Sequence, residues 1–182
     1  GQIEFIDKDI TNMPMHKRSN LGMKYLPQEP SIFQNLTVYE NLFGLAELTF
    51  KNNNDIKTSV EKLLDEFDLI EIRDLKGRQL SGGQRRKVEI ARTLVSNPKM
   101  ILLDEPFAGI DPIAIEEIKK VLNTLKNKGI GILITDHNVR ETLEICDHAA
   151  IINNGEIIAH GTKENLISNQ VVKDVYLGNM YN

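Results

Sequence analysis

Cysteine and aromatic residues are what this 182-residue chain has least of: one Cys, no Trp, and 5% aromatics in all. The single Cys146 excludes an internal disulfide and suits a reducing compartment. No apolar stretch approaches the roughly 18 residues that a membrane-spanning helix needs, and no segment resembles a signal peptide. Work at a membrane would therefore require other chains to hold this one there. A basic excess is missing too: the net charge of −4 leaves no global footprint for nucleic acid. The local cluster Arg85-Arg86-Lys87 reads as the solvated face of a helix. No His/Cys cluster has zinc spacing, and no Ser-His-Asp set suggests acyl transfer. Finally, no G-x-x-x-x-G-K-S/T run, the loop that cradles phosphates, occurs between Gly1 and Asn182.

What is present suits one soluble globular domain, with 41% hydrophobic and 26% charged residues. A chain of this length buries about 70% of its unfolded surface, enough for a full core. Gly1 to Ile10 alternates like an edge strand, and Met23 to Leu26 reads as a short strand stopped by Pro27. Asn52-Asn53-Asn54 reads as a loop. Val60, Leu63, Leu64 and Phe67 form the apolar stripe of an amphipathic helix, and Ile118, Val121, Leu122 and Leu125 repeat it on a second. Asp111 is placed to cap that second helix, with Pro112 at its first position. Met100–Leu103 and Gly131–Thr135 are apolar runs of the kind that form central parallel strands, buried on both faces. Ala149–Asn153 and Glu156–His160 flank Asn154-Gly155, a type I′ hairpin turn. Thr162 to Leu177 reads as two short helices. Strands alternating with helices predict an α/β fold with a parallel core sheet.

The run from Leu80 to Pro106, LSGGQRRKVEIARTLVSNPKMILLDEP, concentrates the chemistry. Ser81 and Gln84 have the spacing of a capping box. Two glycines between them are costly in a first helical turn. Gly82 and Gly83 would instead let a phosphate approach bare backbone N–H groups at the positive end of the helix. Asp104 and Glu105 stand where a buried strand emerges, at the rim where α/β sheets bind ligands. Neighbouring residues on extended chain point opposite ways, so one carboxylate can serve Mg²⁺ through water while the other takes a proton from an attacking water. Gln28, after another short strand, offers a neutral amide to a metal or a water. His137 follows Thr135-Asp136 at the end of an apolar strand, where its imidazole could meet a terminal phosphate oxygen.

Along its whole length the sequence resembles an ABC ATPase subunit. Leu80–Gln84 is similar to the signature motif and Met100–Glu105 to the Walker B strand. The resemblance implies a P-loop NTPase-like fold with a helical subdomain. It implies segments of about 28–95 (Q-loop, helical subdomain, signature), 96–161 (Walker B, D-loop, switch histidine, hairpin) and 162–182 (C-terminal helices). Gln28 would be the Q-loop glutamine, Asp111 the D-loop aspartate and His137 the switch histidine. Asp104 would support Mg²⁺, and Glu105 would be the general base. Ser81 and Gly83 would contact ATP held by a second copy of the chain in a head-to-tail homodimer. The D-loop stretch, Ala108-Gly109-Ile110-Asp111, departs from the commoner S-A-L-D but keeps the acidic residue. On this reading the phosphate loop and its strands lie upstream of Gly1, which is not a Met. The 182 residues alone would then bind ATP poorly and expose a sheet edge.

Within that family, Leu26–Phe33, Asp104–Pro112, Thr135–Thr142 and Val175–Gly178 are most similar to ATPases of lipopolysaccharide export. Branched-chain amino-acid importer ATPases remain an alternative. The arrangement implied is a cytoplasmic subunit, peripheral on the inner face of the cytoplasmic membrane, docked through Glu29–Leu48 under two transmembrane subunits. Phe33 would contact those subunits or be an ordinary core aromatic. A soluble ABC protein of DNA repair or translation is a rival, yet Gln28 and Ser81 are only 53 positions apart, with no heptads between. A half-domain without catalysis is a second rival, though it would have no use for Gln28, Glu105 and His137 together.

Overall fold

The computed structural model describes residues 1–173, which divide into two units, Gly1–Thr135 and the segment beginning at Asp136. The first unit opens on strand β1 (Glu4–Phe5) turned back onto β2 (Lys8–Asp9), where a single edge strand was expected. The reversal lies at Ile6 and Asp7, with φ of 50° and 57°. Both are left-handed, as a type I′ turn requires, but Ile is poorly suited to it and conceals the turn in the sequence. A short helix α1 (Met15–Asn20) leads into β3 (Met23–Leu26), which stops at Pro27 as expected.

Three helices follow. Helix α2 (Val38–Thr49) is held at its start by a complete capping box between Thr37 and Glu40. Helix α3 (Asn53–Glu66) buries Val60, Leu63 and Leu64, with Phe67 at its C-cap also buried. Its start corrects the reading of Asn52–Asn54 as loop. The Asn52 side chain accepts from the Asn54 N–H, capping a helix that takes in the next two asparagines. Helix α4 (Gly82–Leu94) packs on α2, on β3 and on α5 (Pro112–Asn127), the helix that follows strand β4 (Met100–Asp104). Asp111 caps α5 through the Ala114 N–H at 3.0 Å, with Pro112 first in the helix, as the sequence indicates.

Strand β5 (Gly131–Thr135) completes a parallel sheet of order β3-β4-β5. The register aligns Tyr25, Leu102 and Leu133 on one face; Leu26, Leu103 and Ile134 lie on the other. Only the second face is packed. Leu26, Ile101 and Leu103 are at most 2% exposed, whereas Tyr25 is 48% and Leu133 52% exposed. Among the described residues β5 is an edge strand with one face uncovered, the exposed edge expected of these residues alone and not the burial on both faces read from the run. The apolar run cannot distinguish the two cases, because it records side chains and not what covers them.

The second unit contains α6 (Val139–Ile145), β6 (Ala149–Asn153), β7 (Glu156–Gly161), α7 (Lys163–Ser168) and α8 (Gln170–Val172). Asn154 and Gly155, at φ of 49° and 82°, make the expected hairpin turn between β6 and β7. Leu143, Ile151, Ala159, Leu166 and Val172 form its core. Helix α7 matches the first expected C-terminal helix. The end of the second, and the Val175–Gly178 stretch, lie outside the described residues. Among the described residues no helix is long and apolar enough to cross a membrane.

Candidate functional site

The site begins where β4 ends. Asp104 is its last residue, and Glu105 turns the chain with φ of 43° while its N–H donates to the Thr135 carbonyl at 2.7 Å. A left-handed glutamate is uncommon and re-aims its side chain away from the strand's alternation. Gln28, 77 positions earlier, donates from Nε2 to Glu105 Oε2 at 2.7 Å. The Asp104 carboxylate accepts from Thr135 Oγ1 at 2.6 Å on one oxygen and from the Tyr25 hydroxyl at 3.0 Å on the other. Those bonds, Thr135 first and Tyr25 second, hold the Asp104 carboxyl below its ordinary range. The same contact raises the Tyr25 phenol. Gln28, Asp104 and Glu105 thus meet at the open end of one sheet.

The second part is the start of α4. Ser81 and Gln84 form the capping box in both directions, Gln84 N–H to Ser81 Oγ at 3.2 Å and Ser81 N–H to Gln84 Oε1 at 3.0 Å. Of the two glycines between them, Gly83 has a packing reason that the sequence does not reveal. A Cβ there would stand 2.3 Å from the Ala114 Cβ, so α4 and α5 meet closely only over glycine. Gly82 is exposed, and a Cβ there would meet only the Gly109 carbonyl, at 3.6 Å. Gly82 therefore leaves its side of the helix start open. Asp111 is likewise exposed, one residue before α5.

Between these two parts lies what sequence reading missed. Arg86 is 6% exposed, not part of a solvated face; Lys87 alone of the cluster makes an outward pair, with Glu117 at 3.0 Å. Arg86 donates to the Pro27 carbonyl at 3.0 Å and to the Asp104 carbonyl at 2.9 Å. It also pairs with Glu89 at 3.2 Å, and Glu89 accepts from the Ser31 N–H at 2.7 Å. One buried ion pair on α4 thus brackets Gln28 on both sides and fixes the residue before Glu105. Its only sequence signal was Glu89, a charge on the apolar side of an amphipathic helix.

His137 belongs to the second unit. Its side chain is 72% exposed, with Nδ1 3.8 Å from the carboxylate of Asp136, which is itself fully covered. Asp136 also accepts from the Asn138 N–H at 2.7 Å.

Whether Asp104 suits a hydrated divalent cation depends on what already neutralises it. Both hydrogen bonds come from uncharged hydroxyls, and among the described residues no cationic side chain forms an ion pair with it. An ionised carboxylate with a lone pair left on each oxygen fits a magnesium ion's water shell.

A family model described as ABC transporter matches residues 1–108. The chain is 51% identical over 182 residues to the lipopolysaccharide export system ATP-binding protein LptB of Haemophilus influenzae, covering all of this chain and 76% of that protein. Against the Escherichia coli protein of the same name, identity is 48% over 179 residues, covering 98% of this chain and 74% of that one. Among solved structures, the ADP conformation of MJ1267, an ATP-binding cassette of an ABC transporter, matches with a TM-score of 0.86 at 34% identity. That match covers 98% of this chain and 77% of the other.

Proposed function

The chain belongs to the ABC transporter family and has its α/β ATPase fold with a parallel sheet, and from that premise we propose that it is the ATP-hydrolysing subunit of a lipopolysaccharide exporter. The observation that carries the hydrolytic part is the 2.7 Å bond from Gln28 to Glu105, beside an ionised Asp104. In this reading Glu105 takes the proton of the attacking water and Gln28 orients both. His137 meets the terminal phosphate. Asp104, with Gln28, holds the water shell of Mg²⁺, which when bound offsets charge on the phosphate oxygens. Ser81, Gly82, Gly83, Gln84 and Asp111 face ATP carried by a second copy of the chain, Gly83 through its backbone alone. The functional segments are those of about 28–95, 96–161 and 162–182.

Lipopolysaccharide as cargo rests on the relatives at 48–51% identity, which are ATP-binding proteins of lipopolysaccharide export systems. Docking under two transmembrane subunits is supported near Glu29–Leu48. Phe33 is 57% exposed there, not core, with the Arg92 guanidinium 4.9 Å above its ring. A groove of about 830 Å³ beside it is lined in part by Ser31, Leu45, Leu48 and Arg92. The protein would then be cytoplasmic and peripheral at the inner face of the cytoplasmic membrane.

Three measurements test this. Glu105→Gln in the complete gene product is expected to lower ATP turnover by about 10²–10⁴ while ATP still binds; unchanged turnover would sink the hydrolytic reading. Growth of an Escherichia coli strain depleted of its own LptB, with this gene supplied, tests the cargo; failure despite assembly with the transmembrane subunits would sink the lipopolysaccharide assignment. The 182 residues alone, having no phosphate-loop run, are expected to bind ATP weakly and not to turn it over. Glu105-dependent hydrolysis by them would show otherwise.

A further inference from the structure

Tyr25 has an unusual position for an exposed aromatic. It stands on β3 opposite Leu102, on the open face of the sheet, and its ring runs along that face to Asp104, two residues further up β4. Two strand residues span about 6.6 Å, a reach that a phenol makes diagonally and a shorter side chain does not. Its hydroxyl ends 3.0 Å from one Asp104 oxygen; Thr135, paired with Asp104 in the register, closes on the other at 2.6 Å. Each neighbouring strand therefore supplies one hydroxyl, and the carboxylate between them is pinned at both ends.

We propose that Tyr25 is a positioning residue for the metal site: with Thr135 it fixes the plane of the Asp104 carboxylate so that the oxygen lone pairs left over are aimed at the cation's water shell. This rests on the assignment of Asp104 to Mg²⁺ made above. Mg²⁺ demands near-ideal octahedral geometry, so a carboxylate that works through its waters must be aimed before it binds. Partners that orient such groups typically change metal affinity by about 10–100-fold when removed. A Tyr present only to cover apolar surface would work equally well without its oxygen. A Tyr present to aim Asp104 would not.

The test is Mn²⁺ binding to the complete gene product with ATP, followed by electron paramagnetic resonance. Tyr25→Phe is expected to weaken Mn²⁺ binding about 10-fold, with metal-free ATP affinity and the melting temperature unchanged. Thr135→Val should do the same from the other oxygen, and Thr135→Ser, which keeps the hydroxyl, should restore binding. Asp104→Ala separates the two ideas. If Asp104→Ala abolishes tight Mn²⁺ binding while Tyr25→Phe leaves it unaltered, the positioning role is overturned and the metal assignment stands. If Asp104→Ala itself binds Mn²⁺ as before, the metal assignment fails and the role of Tyr25 fails with it.

Discussion

The two faces of the β3-β4-β5 sheet are built from the same short strands and do different work. On one, Leu26, Ile101 and Leu103 disappear under helices and are at most 2% exposed. On the other, Tyr25 and Leu133 are about half exposed, and the polar ends of the strands, Asp104 and Thr135, collect beside them. The packed face is where stability is concentrated. The second face carries the Asp104 carboxylate and the two hydroxyls, of Tyr25 and Thr135, that hold it. The buried Arg86 belongs to the packed side yet serves the other, since its guanidinium holds the backbone from which Asp104 and Glu105 project.

That division makes graded expectations. Arg86→Met should have the largest effect on folding, about 3–5 kcal/mol, because Glu89 would be left buried without its partner; urea denaturation measures it. An effect under about 1 kcal/mol would mean that Glu89 finds water, and that the packed side is looser than it looks. Leu103→Ala should cost about 2–5 kcal/mol by the same measurement. Gly83→Ala follows at about 1–3 kcal/mol, since the new methyl must push α4 away from Ala114. Its effect should appear in stability as much as in turnover, unlike a variant that only blocks a ligand. Smallest is Leu133→Thr on the open face, expected within about 0.5 kcal/mol for these 182 residues. If it matched Leu103→Ala, the two faces would not differ as described.

The features legible in the sequence were those written in neighbouring residues. The Ser81–Gln84 box, the Asp111-Pro112 start of α5 and the Asn154-Gly155 turn each need only a few consecutive positions, and each formed as read. Thr37 and Glu40 carried the same box for α2 and could have been found the same way. Gln28, Asp104 and Glu105 were recognisable as chemistry, and the fold brings them together. What stayed hidden depends on partners far along the chain. Arg86 meets Pro27 across 59 positions and Tyr25 meets Asp104 across 79, so neither side chain's task is visible beside its own neighbours. Gly83 was read as a glycine for a ligand, and Ala114 supplies a reason no local pattern contains.

The bracket around Gln28 has a mechanical consequence. The Pro27 carbonyl and the Ser31 N–H are both tied to side chains one turn apart on α4, and those two side chains are tied to each other. A segment pinned at two points on a rigid rod cannot slide along it or swing about either point alone. Moving that segment must therefore either carry α4 with it, and with α4 the bare backbone at Gly82, or break these bonds.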